Sequence, residues 1–328
     1  MADKLLGSFV WCELLTTDPA AAGPFYSKVV GWTTAPFGPA YTTFNTKSGS
    51  VGGMMALSDD AKKMGAPPNW LMYVGTPNVD ETATRVAQLR GRVLKQPADI
   101  PGTGRFAVVQ DPYGATFGIY TPNTPRAAKA QPSAGEFSWF ELYTPNPEGA
   151  WSFYQSLFGW EKTSAMDMGE MGTYQMFGRG GGVPNGGIMK PPPGAPAAWL
   201  PYAMVPDAKT AAARAQANGG KIINGPMEVP GGDWIAQGMD AQGAMFAVHS
   251  LKPAAPKPVA AKPATSKMKA AKARAAKKAK PARRARPTRK AAKKTAKNSA
   301  KNSAKKSAKK SAKKGRTSMK KRAASRKK

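Results

Sequence analysis

Two glutamates share one short phrase of sequence. Glu13 follows Trp11 in Phe9-Val-Trp-Cys-Glu, and Glu141 follows Trp139 in Phe137-Ser-Trp-Phe-Glu. Side chains two apart on an extended strand share a face, so each carboxyl lies beside an indole. Desolvation there raises a carboxyl's pKa and suits it to acid–base work or to anchoring a ligand. Glu13 and Glu141 are therefore the candidate catalytic residues. The structural alternative is that each pairs with a basic or hydroxyl side chain and merely satisfies the interior. Trp11, Trp70, Tyr73, Trp139, Trp199 and Tyr202 are the candidate ligand-pocket residues. They suit an aromatic wall for a flat apolar ligand, or plain core packing.

Other chemistry is scarce. The single histidine, His249, severely limits imidazole-based metal or proton chemistry. It reads as structural or exposed. The single cysteine, Cys12, permits no intramolecular disulfide, which points to a reducing compartment. It faces away from Trp11 and reads as a small buried hydrophobe. The glycine run Gly178–Gly187 matches neither a dinucleotide-binding nor a lysine-bearing phosphate loop. It reads as a flexible hairpin.

The elements that must position these residues occur twice. Gly7–Trp32 matches Gly135–Trp160 at 12 of 26 positions, and Trp70–Tyr120 matches Trp199–His249 at 15 of 51 without a gap. Gly52-Gly53-Met54-Met55 answers Gly186-Gly187-Ile188-Met189 between them. In each copy an alternating strand pattern opens the repeat. In the first copy Asp18-Pro19 supplies an N-cap with proline at the first helical position. A helix carrying Phe25, Tyr26 and Val29 follows, then strand-like runs near 32–37, 41–47 and 51–57. A second round opens with a strand at 70–76 and a helix at about 79–90, and three further strands follow, with an Asp111-Pro112-Tyr113-Gly114 turn before the last. The expectation is an α+β chain in which each copy is two βαβββ modules forming a curved mixed sheet. The expected division is 7–122 for the first domain, 123–134 for a linker and 135–251 for the second domain.

Thr16-Thr17-Asp18-Pro19, Phe25-Tyr26, Val29-Val30-Gly31-Trp32 and the late Asp-Pro-Tyr-Gly turn resemble the vicinal oxygen chelate superfamily. That group contains glyoxalase I, bleomycin-resistance proteins and extradiol dioxygenases. The resemblance covers nearly all of 7–122 and 135–251 and implies its fold, while that fold hosts many activities. It also implies three metal-ligand positions per copy. These fall on Trp11, Trp70 and Gly118 in the first copy and on Trp139, Trp199 and Ala247 in the second. None supplies an imidazole, carboxylate or thiolate, so no cofactor and no metal at the family's site is expected.

The chain carries 50 Lys+Arg against 19 Asp+Glu, a net charge of +31. Residues 252–328 hold 32 of the bases and no acid, so the rest is nearly neutral. This stretch has no Phe, Trp or Tyr, cannot bury a core and is expected to be a disordered tail. Its composition, its Pro-spaced start at Pro253–Pro263 and its four-residue period resemble linker-histone and bacterial nucleoid-protein tails. Arg283, Arg284, Arg286, Lys297, Lys301, Lys305, Lys306, Lys309, Lys310, Lys313 and Lys314 are its candidate nucleic-acid contacts. Such lysines displace condensed counterions from phosphates with little sequence choice. An anionic membrane or polyphosphate is the alternative partner. No stretch reaches the length of an apolar membrane span, and no signal-peptide run opens the chain, so a cytoplasmic, nucleoid-associated protein is expected. Three readings of function stand open: a small-molecule binder held on DNA, a metal-independent enzyme using Glu13 or Glu141, and a structural platform for a DNA-compacting tail.

Overall fold

The structure is a computed structural model and describes residues 5–124 and 131–252. The tail and its candidate nucleic-acid contacts lie outside the described residues, as does part of the connector. Each repeat builds one eight-stranded mixed sheet. The first copy runs β1 (Phe9–Thr16), α1 (Pro19–Val29), β2 (Thr33–Pro36), β3 (Thr42–Thr46), β4 (Gly49–Ala56), α2 (Asp59–Lys63), β5 (Asn69–Gly75), α3 (Val79–Gln88), β6 (Arg92–Ile100), β7 (Gly104–Gln110) and β8 (Thr116–Pro122). The second runs β9 (Phe137–Tyr143), α4 (Pro147–Phe158), β10 (Glu161–Asp167), β11 (Thr173–Gly178), β12 (Pro184–Met189), β13 (Ala198–Met204), α5 (Ala208–Ala217), β14 (Lys221–Glu228), β15 (Trp234–Met239) and β16 (Met245–Ser250). The glycine run is the β11–β12 hairpin.

The strand order is β2-β3-β4-β1-β5-β8-β7-β6, and β10-β11-β12-β9-β13-β16-β15-β14 repeats it. The two modules of a copy meet at the antiparallel β1–β5 and β9–β13 pairs. The helices begin as their caps dictate. Asp18 Oδ1 accepts from the Ala21 amide and Asn146 Oδ1 from the Gly149 amide, each ahead of a proline. The short helix α2 was not expected from the sequence. Ser58 Oγ caps it by accepting from the Ala61 amide. The second copy has Lys190-Pro191-Pro192-Pro193 there, and three residues without N–H donors cannot continue a helix. The helix expected to reach Arg90 ends at Gln88, and Arg90 takes a positive φ of 67°.

One core serves both copies. The helix-bearing faces of both sheets contribute Leu14, Phe44, Trp70, Met72, Leu142, Phe177 and Trp199 to it. Phe9 of the first copy stacks on Phe140 of the second, with ring centroids 3.6 Å apart. Two chains of polar contacts cross between the copies in pseudo-two-fold fashion. Trp70 Nε1 donates to Tyr26 Oη at 2.9 Å, and Tyr26 donates to Asp240 Oδ2 at 2.9 Å. Trp199 Nε1 donates to Tyr154 Oη at 2.9 Å, and Tyr154 donates to Asp111 Oδ2 at 3.1 Å. Among the described residues no helix is long and apolar enough to cross a membrane.

Candidate functional site

Strand register decides which side chains can meet. Directly paired residues point to the same face of a sheet. In β1 and β5, Cys12 pairs with Met72 and Leu14 with Trp70, and these face the shared core. Trp11 pairs with Tyr73 and Glu13 with Leu71, on the face that carries no helix. The second copy repeats this, with Trp139 opposite Tyr202 and Glu141 opposite Leu200.

Trp70 and Trp199 therefore do not share a face with the glutamates. They are core residues, 6% and 5% exposed, and their indole N–H groups are spent on Tyr26 and Tyr154. This corrects the expected pocket: with a side-chain period of two, a difference of one residue along β5 or β13 puts a side chain on the opposite face. The metal-equivalent position on the fifth strand of the helix-free face is accordingly Leu71 in one copy and Leu200 in the other. Trp11, Tyr73, Trp139 and Tyr202 do lie beside the glutamates.

Each glutamate is held by tyrosines. Tyr73 Oη donates to Glu13 Oε2 at 3.0 Å, and Tyr41 donates to the same carboxyl. Trp11 Nε1 donates to Tyr41 Oη at 2.9 Å. In the second copy Tyr202 donates to Glu141 Oε1 and Tyr174 to Oε2, both at 3.0 Å. Trp139 Nε1 donates to Tyr174 Oη at 2.7 Å. Tyr143 also donates to Glu141, and Gln237 Nε2 donates to Oε1 at 3.1 Å. The hydroxyl partners that the structural alternative required are thus present.

Burial pushes the carboxyls of both glutamates up, against the pull of these donors. For Glu13 the positive charge of Lys95 pulls down as well. Burial and then the adjacent carboxylate raise Tyr41, Tyr73, Tyr174 and Tyr202, which keeps their hydroxyls protonated as donors. The arrangement offers a desolvated carboxyl, fixed hydroxyl donors and an indole edge.

Tyr41, Tyr174, Tyr143, Gln237 and Lys95 were not anticipated from sequence. Tyr41 and Tyr174 occupy the segment where the two repeats fall out of step. The retained Gly-Gly pair was the available signal. A Cβ on Gly53 would collide with the Tyr41 ring, and one on Gly187 with the Tyr174 ring. Only a bare backbone lets those rings lie across β4 and β12. His249 links Ser138 through Nδ1 at 2.9 Å and Asp233 through Nε2 at 3.1 Å, and neither contact is to a glutamate. Cys12 is buried in the core.

The family's metal does not fit the residues present. Its positions hold Trp11, Leu71 and Gly118 in one copy and Trp139, Leu200 and Ala247 in the other. Indole, alkyl and hydrogen side chains offer a divalent ion no lone pair. No group of three or more His, Cys, Asp or Glu side chains able to hold a metal occurs among the described residues.

The model of the Glyoxalase/Bleomycin resistance protein/Dioxygenase superfamily matches residues 8–119. The chain is 34% identical over 249 residues to "Putative glyoxylase CFP32" of Mycobacterium tuberculosis, covering 74% of this chain and 94% of that protein. It is 29% identical over 268 residues to the anthracycline biosynthesis protein DnrV of Streptomyces peucetius, covering 76% and 95%. The Mn(II)-bound glyoxalase from Novosphingobium aromaticivorans superposes with a TM-score of 0.55 at 14% identity, over 75% of this chain and 82% of that one. The 2,3-dioxygenase LapB from Pseudomonas sp. KL28 gives a TM-score of 0.52 at 14% identity, over 77% and 96%. At those identities the two structures speak for the fold alone. With the doubled βαβββ modules and these full-length relatives, the chain belongs to the glyoxalase/bleomycin resistance protein/dioxygenase superfamily.

Proposed function

We propose that this protein binds a small aromatic molecule on the helix-free face of its body without a metal, and that its basic tail tethers it to DNA. One observation carries the first half. The Glu–Tyr–Tyr–Trp set recurs in both copies, where the family's metal donors are replaced by indole, alkyl and hydrogen. A buried carboxyl fixed by hydroxyls is an anchor for a polar ligand group, and the indoles supply a flat apolar wall. A relative named for anthracycline biosynthesis supports an aromatic ligand class. The test is calorimetric titration of flat aromatic hydroxy compounds into protein treated with a chelator. Undiminished binding is expected after chelation, and binding restored only by added metal would refute the reading.

A metal-independent enzyme is the second reading, favoured by the raised carboxyls of Glu13 and Glu141. A carboxyl protonated closer to neutrality can donate a proton to substrate. E13Q would then keep ligand affinity and lose turnover. The tail half of the proposal rests on 32 bases without an acid in 77 residues. The same charge supports a cytoplasmic, nucleoid-associated location. If compaction of DNA persists with the body's ligand face disabled, the protein is a structural nucleoid component instead.

A further inference from the structure

The helix-free faces of the two copies have diverged along one row of the sheet. In the second copy the register places Trp139, Tyr202, Ala247, Gln237 and Asn224 side by side across five strands. Gln237 spans the row. Its Nε2 reaches Glu141 and, at 2.9 Å, Tyr143 Oη, while its Oε1 accepts from Asn224 Nδ2 at 3.1 Å. Glu141 is left 6% exposed with four donors on its carboxyl. That face is closed by its own side chains.

The first copy has the same row with different residues: Trp11, Tyr73, Gly118, Val108 and Lys95. Val108 stands where Gln237 does, and Leu15 where Tyr143 does. Neither can donate to a carboxyl, so among the described residues Glu13 has two tyrosine donors, and it stays half-buried. Lys95 replaces Asn224. Its Nζ hangs 5.0 Å from the Phe106 ring centroid, exposed, and it acts on Glu13 through space. An acceptor and a cationic donor thus lie on one face of the sheet, with Val108 and Phe106 of β7 on the way from one to the other.

We propose that the first copy alone reads ligand, and that it selects a flat aromatic hydroxy acid whose phenolic hydroxyl donates to Glu13 while its carboxylate meets Lys95. The second copy holds the fold. This rests on the small-molecule reading above and assigns that reading to one face and one ligand class. A lysine paired with an acceptor at the far edge rejects analogues that lack either group, because each leaves one of the two unpartnered.

Calorimetry with three probes on the full chain tests it. The probes are a hydroxynaphthoate with its groups on opposite rings, the naphthoate lacking the hydroxyl and the naphthol lacking the carboxylate. The hydroxynaphthoate is expected to bind about ten-fold or more tighter than either analogue. K95M should remove its advantage over the naphthol. L15Y/V108Q, which transplants the second copy's filling, should abolish binding. K209M removes a lysine that sits 3.5 Å from the Trp234 ring centroid and should leave all three affinities unchanged. Should L15Y/V108Q fail to fold, K95M decides by itself. Hydroxynaphthoate binding that is unchanged in K95M overturns the proposal, as do equal affinities for the three probes, and in both cases the small-molecule reading survives. No binding of any probe by the unaltered protein overturns both.

Discussion

Glu141 is the most fully partnered carboxyl of the helix-free faces, and its burial has a pH signature. Burial raises the carboxyls of Glu13, Glu141, Asp111 and Asp240. A carboxyl whose pKa is higher in the folded state binds more protons folded than unfolded across that window. Stability then falls as pH climbs from the ordinary carboxylate value through the raised one. Denaturant midpoints measured from acid to neutral pH should show this decline. E141Q should flatten it, and equal slopes in both proteins would count against a raised Glu141. Y202F removes one donor from Glu141 and is expected to cost about 1–3 kcal/mol, read from the same denaturation curves. The tyrosines were legible as a repeated Tyr73/Tyr202 pair, but their service to the glutamates was not. It depends on which residue of a neighbouring strand stands opposite.

Within an element, backbone space decides more than propensity. Gly53 and Gly187 are strand residues, where glycine normally weakens pairing. They persist because the Tyr41 and Tyr174 rings lie on them. G187A should displace Tyr174 from Glu141 and destabilise the protein by about 1–3 kcal/mol, with altered near-ultraviolet dichroism as the check. The helices were legible because their caps are local: Asp18-Pro19 and Asn146-Pro147 announce α1 and α4 within three residues. The short helix α2 was missed, since a five-residue helix carries too little periodicity to separate it from a loop.

For the whole molecule, the Trp–Tyr–Asp chains make the two copies one folding unit. Each begins in one copy and ends on a turn aspartate of the other. Asp111 Oδ1 also accepts from the Tyr113 and Ala115 amides, so each carboxyl closes a turn as well as a copy–copy contact. Y26F and Y154F should each lower stability by about 1–3 kcal/mol while the body still unfolds in one transition by both near- and far-ultraviolet dichroism. Two separated transitions would show independent copies. The tail makes a prediction at the same scale. In a DNA shift assay the full chain should lose affinity by about a thousand-fold or more between about 50 and 200 mM salt. Protein ending at Leu251 should not bind, and equal binding by both would remove the tail from the account.

Duplication, module order, the starts of the longer helices and the partition of charge followed from the chain alone, because each is written in local residue types or in direct repetition. The absence of donor side chains at the positions that the resemblance implies for a metal was likewise read from the chain, from tryptophan, glycine and alanine. Tertiary structure decided the rest. A one-residue offset in β5 sent Trp70 into the core and left Leu71 on the helix-free face, and no local signal distinguishes those two in a buried, continuously apolar strand. Only cross-strand register set Gln237 and Tyr143 around Glu141 and left Val108, Leu15 and Lys95 around Glu13. The two glutamates that look alike in sequence are therefore unlike in space. One is enclosed by its own sheet, and the other keeps two tyrosine donors and feels the charge of a lysine on the same face.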